Sequence, residues 1–346
     1  MSVFEVSSGH FCFRYCHFRQ GRLVSSHCKF YFILVFLFSG LGTPVYGVDI
    51  ALVLRSESKA FEQVVNGLTD DLKGDLQFSE HVVDRGTDAS DIQSLVDEVS
   101  PNVVVLVGNR SINAYIQYQQ VNKGEDFPPA IVLAALYVDQ LAVKIDNVTG
   151  IRYEIPAVTS AIHLRSLLKH DVKKIGVVYR AWMKDFIEEN VQYCKREGFD
   201  LIGYEIGGKS KRYSSKIKKG IAHLIDEGVD ALWVINDNAL LNSESLVKGW
   251  IPGLKNINKP VIVSVKSIIL SKFKFGSFAV VLDHYDLGVQ GASIIAEIMD
   301  NNWSVEGREI ELPLSVRKMV NLAIFKKKGI EFNVKKLSEM DEVIWD

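Results

Sequence analysis

The stretch Val103–Asn109 reads VVVLVGN: five apolar residues without a polar interruption, followed by glycine and a polar side chain. A strand with one face in water alternates apolar and polar residues. An unbroken apolar run of this length is instead typical of a strand buried on both faces of a parallel sheet. The stretch Ile175–Tyr179, IGVVY, has the same character. Both stretches therefore indicate an α/β fold, in which helices cover the two faces of a parallel sheet.

Predicted strands and helices alternate on both sides of these stretches. In the first half, we expect strands at 49–54, 77–83, 103–107 and 130–135, with helices at 60–72, 90–99 and 111–119. In the second half, we expect helices at 156–169, 184–197 and 214–227, with strands at 174–179, 200–206, 231–235 and 260–265. Strands that alternate with helices in this way are typical of parallel sheets.

A weak internal repeat indicates how these elements are divided. Ile50–Ser56 aligns with Ile175–Ala181, and Val105–Asn109 aligns, in the same order, with Trp233–Asp237. Buried strands resemble one another by composition, so chance explains part of this similarity. Because the matching segments follow one another in the same order, the repeat nevertheless favours two similar lobes in tandem over one long sheet.

The first 47 residues differ from the rest of the chain. Four basic side chains and one acidic side chain precede an unbroken apolar run, Phe30–Phe38, and helix-breaking residues follow at 39–44. These are the parts of a secretory signal, and the run is too short for a bilayer, which needs about 20 apolar residues. We therefore expect residues 1–47 to be a leader and the mature protein to be periplasmic. An uncleaved membrane anchor is the alternative.

The composition limits the kinds of partner. The 346 residues are 47% hydrophobic and carry 40 basic against 42 acidic side chains. This suits about two domains of ordinary size and gives no clustered basic surface for nucleic acid. Three of the four cysteines lie in the leader, so Cys194 has no partner for an intramolecular disulfide. We expect it to be a small buried apolar side chain on a helix.

Polar and aromatic residues follow many of the predicted strands. Ligands of open parallel sheets bind beyond the carboxyl ends of the strands, so two facing lobes would hold a ligand in the cleft between those ends. The candidate ligand contacts are Arg55, Ser56, Asn109, Ser111, Tyr137, Arg180, Trp182, Asp237, Asn238 and Asp283.

The chemistry of this set suits a zwitterion such as an amino acid. Ser56, Ser111 and Ser243 are placed to start helices, whose free N–H groups favour an anion. The two arginines add forked donors, the two aspartates can accept from an ammonium group, and the aromatic rings can enclose an apolar group. Asp237 is the strongest candidate, because the polar sequence Asn-Asp-Asn directly follows the apolar run ALWVI.

Each assignment also has a structural alternative. Serine and asparagine at strand ends are common helix caps, arginines form solvated salt bridges, and aromatic rings pack under loops. His284 lies near the presumed cleft as a further candidate contact.

Five segments carry a resemblance to a known family. They are DVKKIGVVY at 171–179, DALWVINDN at 230–238, KPVIV at 259–263, DHYDLGVQG at 283–291 and MVNLAIFKKKG at 319–329. Over about residues 48–344 the chain resembles the ABC-transporter substrate-binding proteins of the tryptophan/tyrosine-binding type. The family's Thr-Asp-Asn corresponds to Asn236-Asp237-Asn238, and its Asp-Tyr-Tyr-Asp-Leu-Gly to 283–288.

The resemblance implies a periplasmic-binding-protein fold of type I: two Rossmann-like α/β lobes with parallel sheets, connected by a hinge. On that topology lobe 1 comprises 48–150 and about 285–312, and lobe 2 comprises 151–284 and about 313–346. It further implies a monomer that captures a small-molecule ligand by lobe closure and delivers it to an ABC permease in the inner membrane. Presentation of the closed form to a sensor kinase is the alternative. Neither catalysis, nor a cofactor, nor a metal, nor nucleic acid is expected.

Two departures from the family keep the ligand open. The family usually has a Thr/Ser-Asp-Pro turn where this chain has Leu136-Tyr137-Val138-Asp139. The segment after the first strand, 55–59, is also more highly charged than usual. Both loops are expected to contact the ligand, so its identity does not follow from the resemblance.

One motif points to an enzyme. Residues 203–210, GYEIGGKS, satisfy the P-loop pattern G-x-x-x-x-G-K-[ST]. Gly203, however, falls inside the predicted strand 200–206, so the phosphate-binding loop would begin within a sheet. A solvated basic loop is the better interpretation.

Overall fold

A computed structural model describes residues 48–207, 213–270 and 275–345. Its first sheet has the order β2-β1-β3-β4-β5 and is parallel throughout. The strands are β1 (Ile50–Arg55), β2 (Gln77–Val82), β3 (Val103–Val107), β4 (Ala130–Leu133) and β5 (Val148–Gly150). The helices that connect them are α1 (Lys59–Asp71), α2 (Ala89–Val99), α3 (Asn109–Val121) and α4 (Val138–Ala142).

The second sheet has the order β12-β11-β10-β9-β8-β6-β7. Its strands are β6 (Lys174–Arg180), β7 (Asp200–Ile206), β8 (Ala231–Val234), β9 (Val261–Val263), β10 (Phe278–Leu282), β11 (Val316–Asn321) and β12 (Glu342–Ile344). The helices are α5 (Ala157–Leu167), α6 (Lys184–Arg196), α7 (Tyr213–Asp226), α8 (Ser243–Ser245), α9 (Ile251–Leu254), α10 (Lys266–Leu270), α11 (His284–Asp300) and α12 (Leu322–Lys328). A π-helix at Leu246–Trp250 joins α8 to α9, and 3₁₀ turns lie at Ala181–Met183 and Val334–Glu339.

The two sheets share one topology. In the first, β1 lies between β2 and β3; in the second, β6 lies between β7 and β8. The two-lobed α/β fold predicted from the sequence is therefore confirmed. The second sheet departs from the prediction in two ways: β10, β11 and β12 extend it beyond the four predicted strands, and β11 returns antiparallel to β10.

Burial explains why the apolar runs form central strands. Every residue of β3 is fully buried, and β3 pairs with β1 on one side and β4 on the other. One hydrophobic core covers a face of each sheet and includes Val53, Val105, Val177 and Val280. The opposite faces have separate cores. Helices on both faces supply the other walls, as the unbroken apolar runs indicated.

Helices α1 and α11 pack backbone to backbone. A Cβ atom on Gly67 would lie 2.0 Å from the carbonyl oxygen of Tyr285, and one on Gly288 would lie 2.0 Å from that of Val64. Only glycine permits this approach. Although α11 follows β10 of the second sheet, it therefore lies against a helix of the first. The exact division of the chain into lobes stays a prediction.

Two expectations outside the cleft have clear outcomes. Cys194 is fully buried, and burial raises the pKa of its thiol to about 12, so its prediction as a buried apolar side chain is confirmed. Gly203 lies within β7, between Ile202 and Tyr204, as the argument against a P-loop required. The remainder of that motif at 208–210, like the leader, lies outside the described residues. In the described part of the chain, no helix combines the length and hydropathy needed to span a bilayer.

Candidate ligand cavity

A cavity of about 490 Å³ lies where the carboxyl ends of strands from both sheets converge. Its wall is built from the first turns of α1, from the segments that follow β3, β4 and β5, and from α6. The ends of β8, β9 and β10 and the start of β11 complete it. Ligand pockets of proteins typically measure about 300–1,000 Å³, and strand ends are where open α/β sheets bind ligands. The cavity therefore has the position and the size of a small-molecule site.

Aromatic side chains form much of the wall. Tyr137 contacts Trp182 edge to face, with the ring centroids 4.6 Å apart, and Phe186 at 5.9 Å. The ring of Phe186 in turn lies 6.1 Å from that of Trp233. Phe61 and Tyr153 line other parts of the same cavity. Edge-to-face packing of this kind fixes the rings and leaves an apolar surface of defined shape.

Tyr137 links segments that belong to different sheets. It follows β4 of the first sheet, and its hydroxyl donates to the carbonyl oxygen of Asn236, which follows β8 of the second sheet, at 2.8 Å. Its backbone adopts the left-handed region with φ +56°, which costs a non-glycine residue about 1–2 kcal/mol. Burial raises the pKa of its phenol far above the usual range, so the hydroxyl remains a donor.

Glu154 places a carboxylate in the cavity wall. It lies between β5 and α5, and its Oε1 atom accepts a hydrogen bond from the Tyr137 peptide N–H at 2.7 Å. Burial raises the pKa of Glu154 to about 7 against the lowering effect of that hydrogen bond and of Arg152. Arg152 is held elsewhere, with Nε 3.0 Å from Asp139 Oδ2 and Nη1 2.9 Å from Glu189 Oε2. Within the described ranges, Glu154 forms no ion pair.

Two further polar groups of the wall differ in whether they have hydrogen-bond partners. The side-chain amide of Asn109 donates to the Leu136 carbonyl at 2.8 Å and accepts from the Leu136 peptide N–H at 3.0 Å. Trp233 is 2% exposed, and its indole N–H has no hydrogen-bond partner among the described residues. Because a buried donor without a partner costs about 1–3 kcal/mol, a ligand acceptor at this position would stabilise the site.

Asp283 and His284 form another part of the wall. Asp283 caps α11 and accepts from the peptide N–H groups of Tyr285 and Asp286 at 3.0 and 3.3 Å. His284 Nε2 lies 2.9 Å from the hydroxyl of Tyr153, and burial lowers its pKa. Asp283 thus has a role at the start of a helix as well as a place at the cavity.

Four of the predicted site residues line the cavity: Asn109, Tyr137, Asn238 and Asp283. The other six lie outside its lining: Arg55, Ser56, Ser111, Arg180, Trp182 and Asp237. Trp182 lies directly behind the wall, in contact with the Tyr137 ring. The assignment of these ten residues to ligand binding stays a prediction, and the structure gives several of them a different partner.

Asp237 and Arg180 bind each other. Arg180 donates from Nε to Asp237 Oδ2 at 2.6 Å and from Nη2 to Oδ1 at 2.8 Å. The Oδ1 atom also accepts from the Ala239 peptide N–H at 2.8 Å. Asp237 is 2% exposed, and the hydrogen bonds to it raise the pKa of Arg180. The structure therefore gives the polar Asp237 after the ALWVI run an internal ion pair. The local sequence did not reveal its partner, Arg180.

Arg55 and Ser111 likewise have internal partners, and Ser56 is buried, with its peptide N–H donating to the Val107 carbonyl at 3.3 Å. Arg55 pairs with Glu80 of the neighbouring strand, and the Ser111 hydroxyl donates to the Val107 carbonyl at 3.1 Å. The expectation that the two serines start helices is wrong. Ser58 caps α1, and α3 begins at Asn109, before Ser111, because the glycine that follows β3 already turns the chain.

Sequence reasoning missed Glu154 and the aromatic residues Phe61, Tyr153, Phe186 and Trp233. Phe61 and Phe186 have the spacing of buried helix positions, and Trp233 lies within an apolar strand. The one available signal for Glu154 was a Tyr-Glu pair ahead of Pro156 in the connection after a short buried strand.

Comparison with known proteins supports one family. Residues 50–344 match the model of the ABC transporter substrate binding protein family. No curated protein matches the chain.

Solved structures with the same fold include three bacterial proteins. An ABC domain in complex with L-Trp from Streptococcus pneumonia is 19% identical, with a TM-score of 0.54, covering 86% of this chain and all of that one. The ligand-free, open structure of a substrate-binding protein with adhesive properties from Clostridium difficile is 17% identical, with a TM-score of 0.63 and coverage of 87% and 100%. A substrate-binding protein from Desulfitobacterium hafniense in complex with Leu is 12% identical, with a TM-score of 0.50 and coverage of 73% and 84%. The fold is that of type I periplasmic binding proteins, and the chain belongs to the family of ABC transporter substrate-binding proteins.

Proposed function

We propose that this protein is the solute-binding receptor of an ABC importer and that it binds an amino acid or a similar small zwitterion. The observation that carries the proposal is the cavity itself, to which strand ends of both sheets contribute. A carboxylate lines this space, Trp233 lines it and has a buried indole N–H without a partner among the described residues, and several aromatic rings complete the wall. These groups suit an ammonium, a carboxylate or carbonyl, and an apolar side chain, respectively.

Binding couples to closure of the lobes. A ligand that contacts both lobes stabilises the closed arrangement by its differential affinity for that state. The hydroxyl of Tyr137 already joins the two sheets through Asn236, so ligand and Tyr137 act on the same equilibrium. The closed form is then the one that a membrane permease recognises. We propose release of the unchanged solute to that permease, without catalysis by this chain.

Two relatives of the same fold suggest the first ligands to test. Their solved structures are complexes with L-Trp and with Leu. The aromatic wall of this cavity offers apolar contact to either side chain. We further propose that the protein is exported by its leader and acts as a periplasmic monomer.

A thermal-shift screen of the purified protein tests the proposal. The panel contains the common amino acids, nucleosides, small sugars and ATP with Mg²⁺. We expect a saturable rise of the melting temperature with one amino acid or a small group of them. A ligand at 100 times its Kd stabilises the folded state by about 2.7 kcal/mol. A response confined to sugars or nucleosides would contradict the amino-acid proposal, and a response confined to ATP would point to the P-loop pattern instead.

A further inference from the structure

We propose that Glu154 is the residue that binds a protonated primary amine of the ligand. This inference rests on the proposed function, since it assigns a recognition group within the same cavity. It concerns a residue that the ten sequence-derived candidates do not include.

The position of the carboxylate is fixed without its charge being neutralised. Oε1 accepts from the Tyr137 peptide N–H at 2.7 Å, and the peptide N–H of Glu154 itself also bonds the carboxylate. The side chain is half-buried in the cavity wall. Backbone N–H groups contribute partial charge only, so a full positive charge at the cavity remains favourable.

The other charged groups of the wall have partners. Lys266 Nζ lies 2.8 Å from Glu342 Oε2. Asp283 caps α11, and Arg317 Nε lies 4.0 Å from its Oδ2 atom. Among the cavity-lining residues that the structure describes, Glu154 is therefore the charged side chain without an ion pair. A ligand cation would supply the missing charge.

Arg152, the nearest candidate for an internal partner, is committed elsewhere. Its guanidinium is shared between Asp139 and Glu189. Two acceptors already bind this one cation, and Asp139 acts on Glu154 as a further negative charge. The net charge of the groups around Glu154 is thus negative, which favours a cation and disfavours an anion at this position.

The rest of the wall identifies the cation as part of a larger molecule. The rings of Tyr137, Tyr153 and Phe186 line the same cavity, and aromatic faces favour an adjacent ammonium group. Trp233 contributes its unpaired indole N–H, which requires an acceptor such as a carbonyl or carboxylate oxygen. A primary amine joined to an acceptor and to an apolar group satisfies all three features.

The burial of Glu154 agrees with this role. Burial raises the pKa of the carboxyl to about 7, and a bound ammonium favours the ionised form. Binding of the amine near neutral pH is therefore accompanied by release of a proton from Glu154.

Isothermal titration with matched probes tests the assignment. L-Tryptophan is compared with indole-3-propionate, and L-leucine with 4-methylpentanoate, each acid lacking only the amine. We expect an amino acid to bind and its deaminated partner to bind at least about 30-fold more weakly, as loss of a charge-assisted contact predicts. Glu154→Gln, which keeps an acceptor for the Tyr137 N–H, should weaken the amino acid by the same factor and leave the deaminated acid unaffected.

A matched control separates charge at the site from charge elsewhere. Glu244→Gln removes an exposed carboxylate that pairs with Lys248 at 3.1 Å, and it should leave both affinities unchanged. The melting temperature of each variant checks that it is folded. Glu154→Asp keeps the charge on a shorter side chain. Its affinity for the amino acid should therefore lie between those of the wild-type protein and of Glu154→Gln.

The possible failures of the two proposals differ. Full affinity of Glu154→Gln for the amino acid, or equal binding of the acid without an amine, would overturn the role of Glu154 and leave the receptor function standing. Identification of a bound solute that has no amine would overturn both the role of Glu154 and the choice of an amino acid as ligand, and would leave only the receptor function standing. If the folded wild-type protein bound no solute of the wider screen, both proposals would be wrong.

Discussion

Two carboxylates at strand ends of this protein have opposite surroundings. Asp237 follows β8 and is bound by both nitrogens of a neighbouring arginine. Glu154 follows β5 and accepts from peptide N–H groups, that of Tyr137 at 2.7 Å and its own. The charge of the first is matched by an internal partner, whereas the second has no ion pair among the described residues. We propose that this difference, and not the position after an apolar strand alone, decides which of the two carboxylates binds a ligand.

The largest expected effect concerns the paired carboxylate. Asp237→Ala leaves the Arg180 guanidinium without its partner, and we expect the free energy of unfolding to fall by about 3 kcal/mol. Urea denaturation of the unliganded protein measures this change. Asp237→Asn, which keeps one acceptor, should lose less. A variant of wild-type stability that had lost only ligand affinity would restore Asp237 as a ligand contact.

The second effect concerns the pH dependence of the unpaired carboxylate. Burial raises the pKa of Glu154 from its ordinary 4.5 to about 7. The folded state therefore retains a proton that the unfolded state has lost between these values. The free energy of unfolding should fall as pH rises through this window, by up to about 3 kcal/mol for the full shift.

The measurement is the difference between wild-type protein and Glu154→Gln across pH 4.5–8, because other groups titrate nearby. His284 has a lowered pKa and contributes the opposite slope, with Tyr137, Asp139, Arg152 and Tyr153 being the other ionisable groups around the carboxyl. Parallel pH profiles of the two proteins would show that Glu154 is solvated and has an ordinary pKa.

The third effect tests the link between the two regions. Tyr137→Phe removes the hydroxyl that donates to Asn236 across the cavity, and the loss of about 1 kcal/mol should weaken ligand binding about five-fold. Tyr285→Phe is the matched control, since its hydroxyl bonds Asp70 outside the cavity at 3.1 Å. Equal effects of the two substitutions on Kd would indicate that the Tyr137 bond does not favour the ligand-bound form.

The smallest effect is expected at an exposed pair. Glu244→Gln breaks the contact with Lys248, which should change the free energy of unfolding by less than about 0.5 kcal/mol. Chemical denaturation measures this value against the loss in Asp237→Ala. A loss as large as that of Asp237→Ala would contradict the claim that burial and bidentate bonding distinguish the two pairs.

The sequence predicted the long central strands well, because a buried parallel strand leaves a local mark. The run VVVLV became β3 with every side chain buried. Four strands were not predicted: β5 and β12, which have only three residues each, and the longer β10 and β11. The antiparallel return of β11 depends on contacts distant in sequence, which local patterns do not carry.

The candidate site was predicted less completely, for a related reason. Asp237 was correctly placed at a strand end, but its partner Arg180 lies on another strand. Glu154 was missed because the sequence does not show which carboxylate the nearby Arg152 binds. In the structure Arg152 binds Asp139 and Glu189, so Glu154 has no ion pair with it. Trp233 resembled core from its sequence context, and only the cavity distinguishes its unpaired N–H from that of a packed side chain.

The most direct test is a crystal structure of the protein with the amino acid that the thermal-shift screen identifies. We predict that the ligand's nitrogen lies within about 2.7–3.2 Å of a Glu154 carboxylate oxygen, while Asp237 remains bound to Arg180. A ligand nitrogen bound to Asp237, with Arg180 displaced and Glu154 turned away, would contradict the distinction between the two carboxylates.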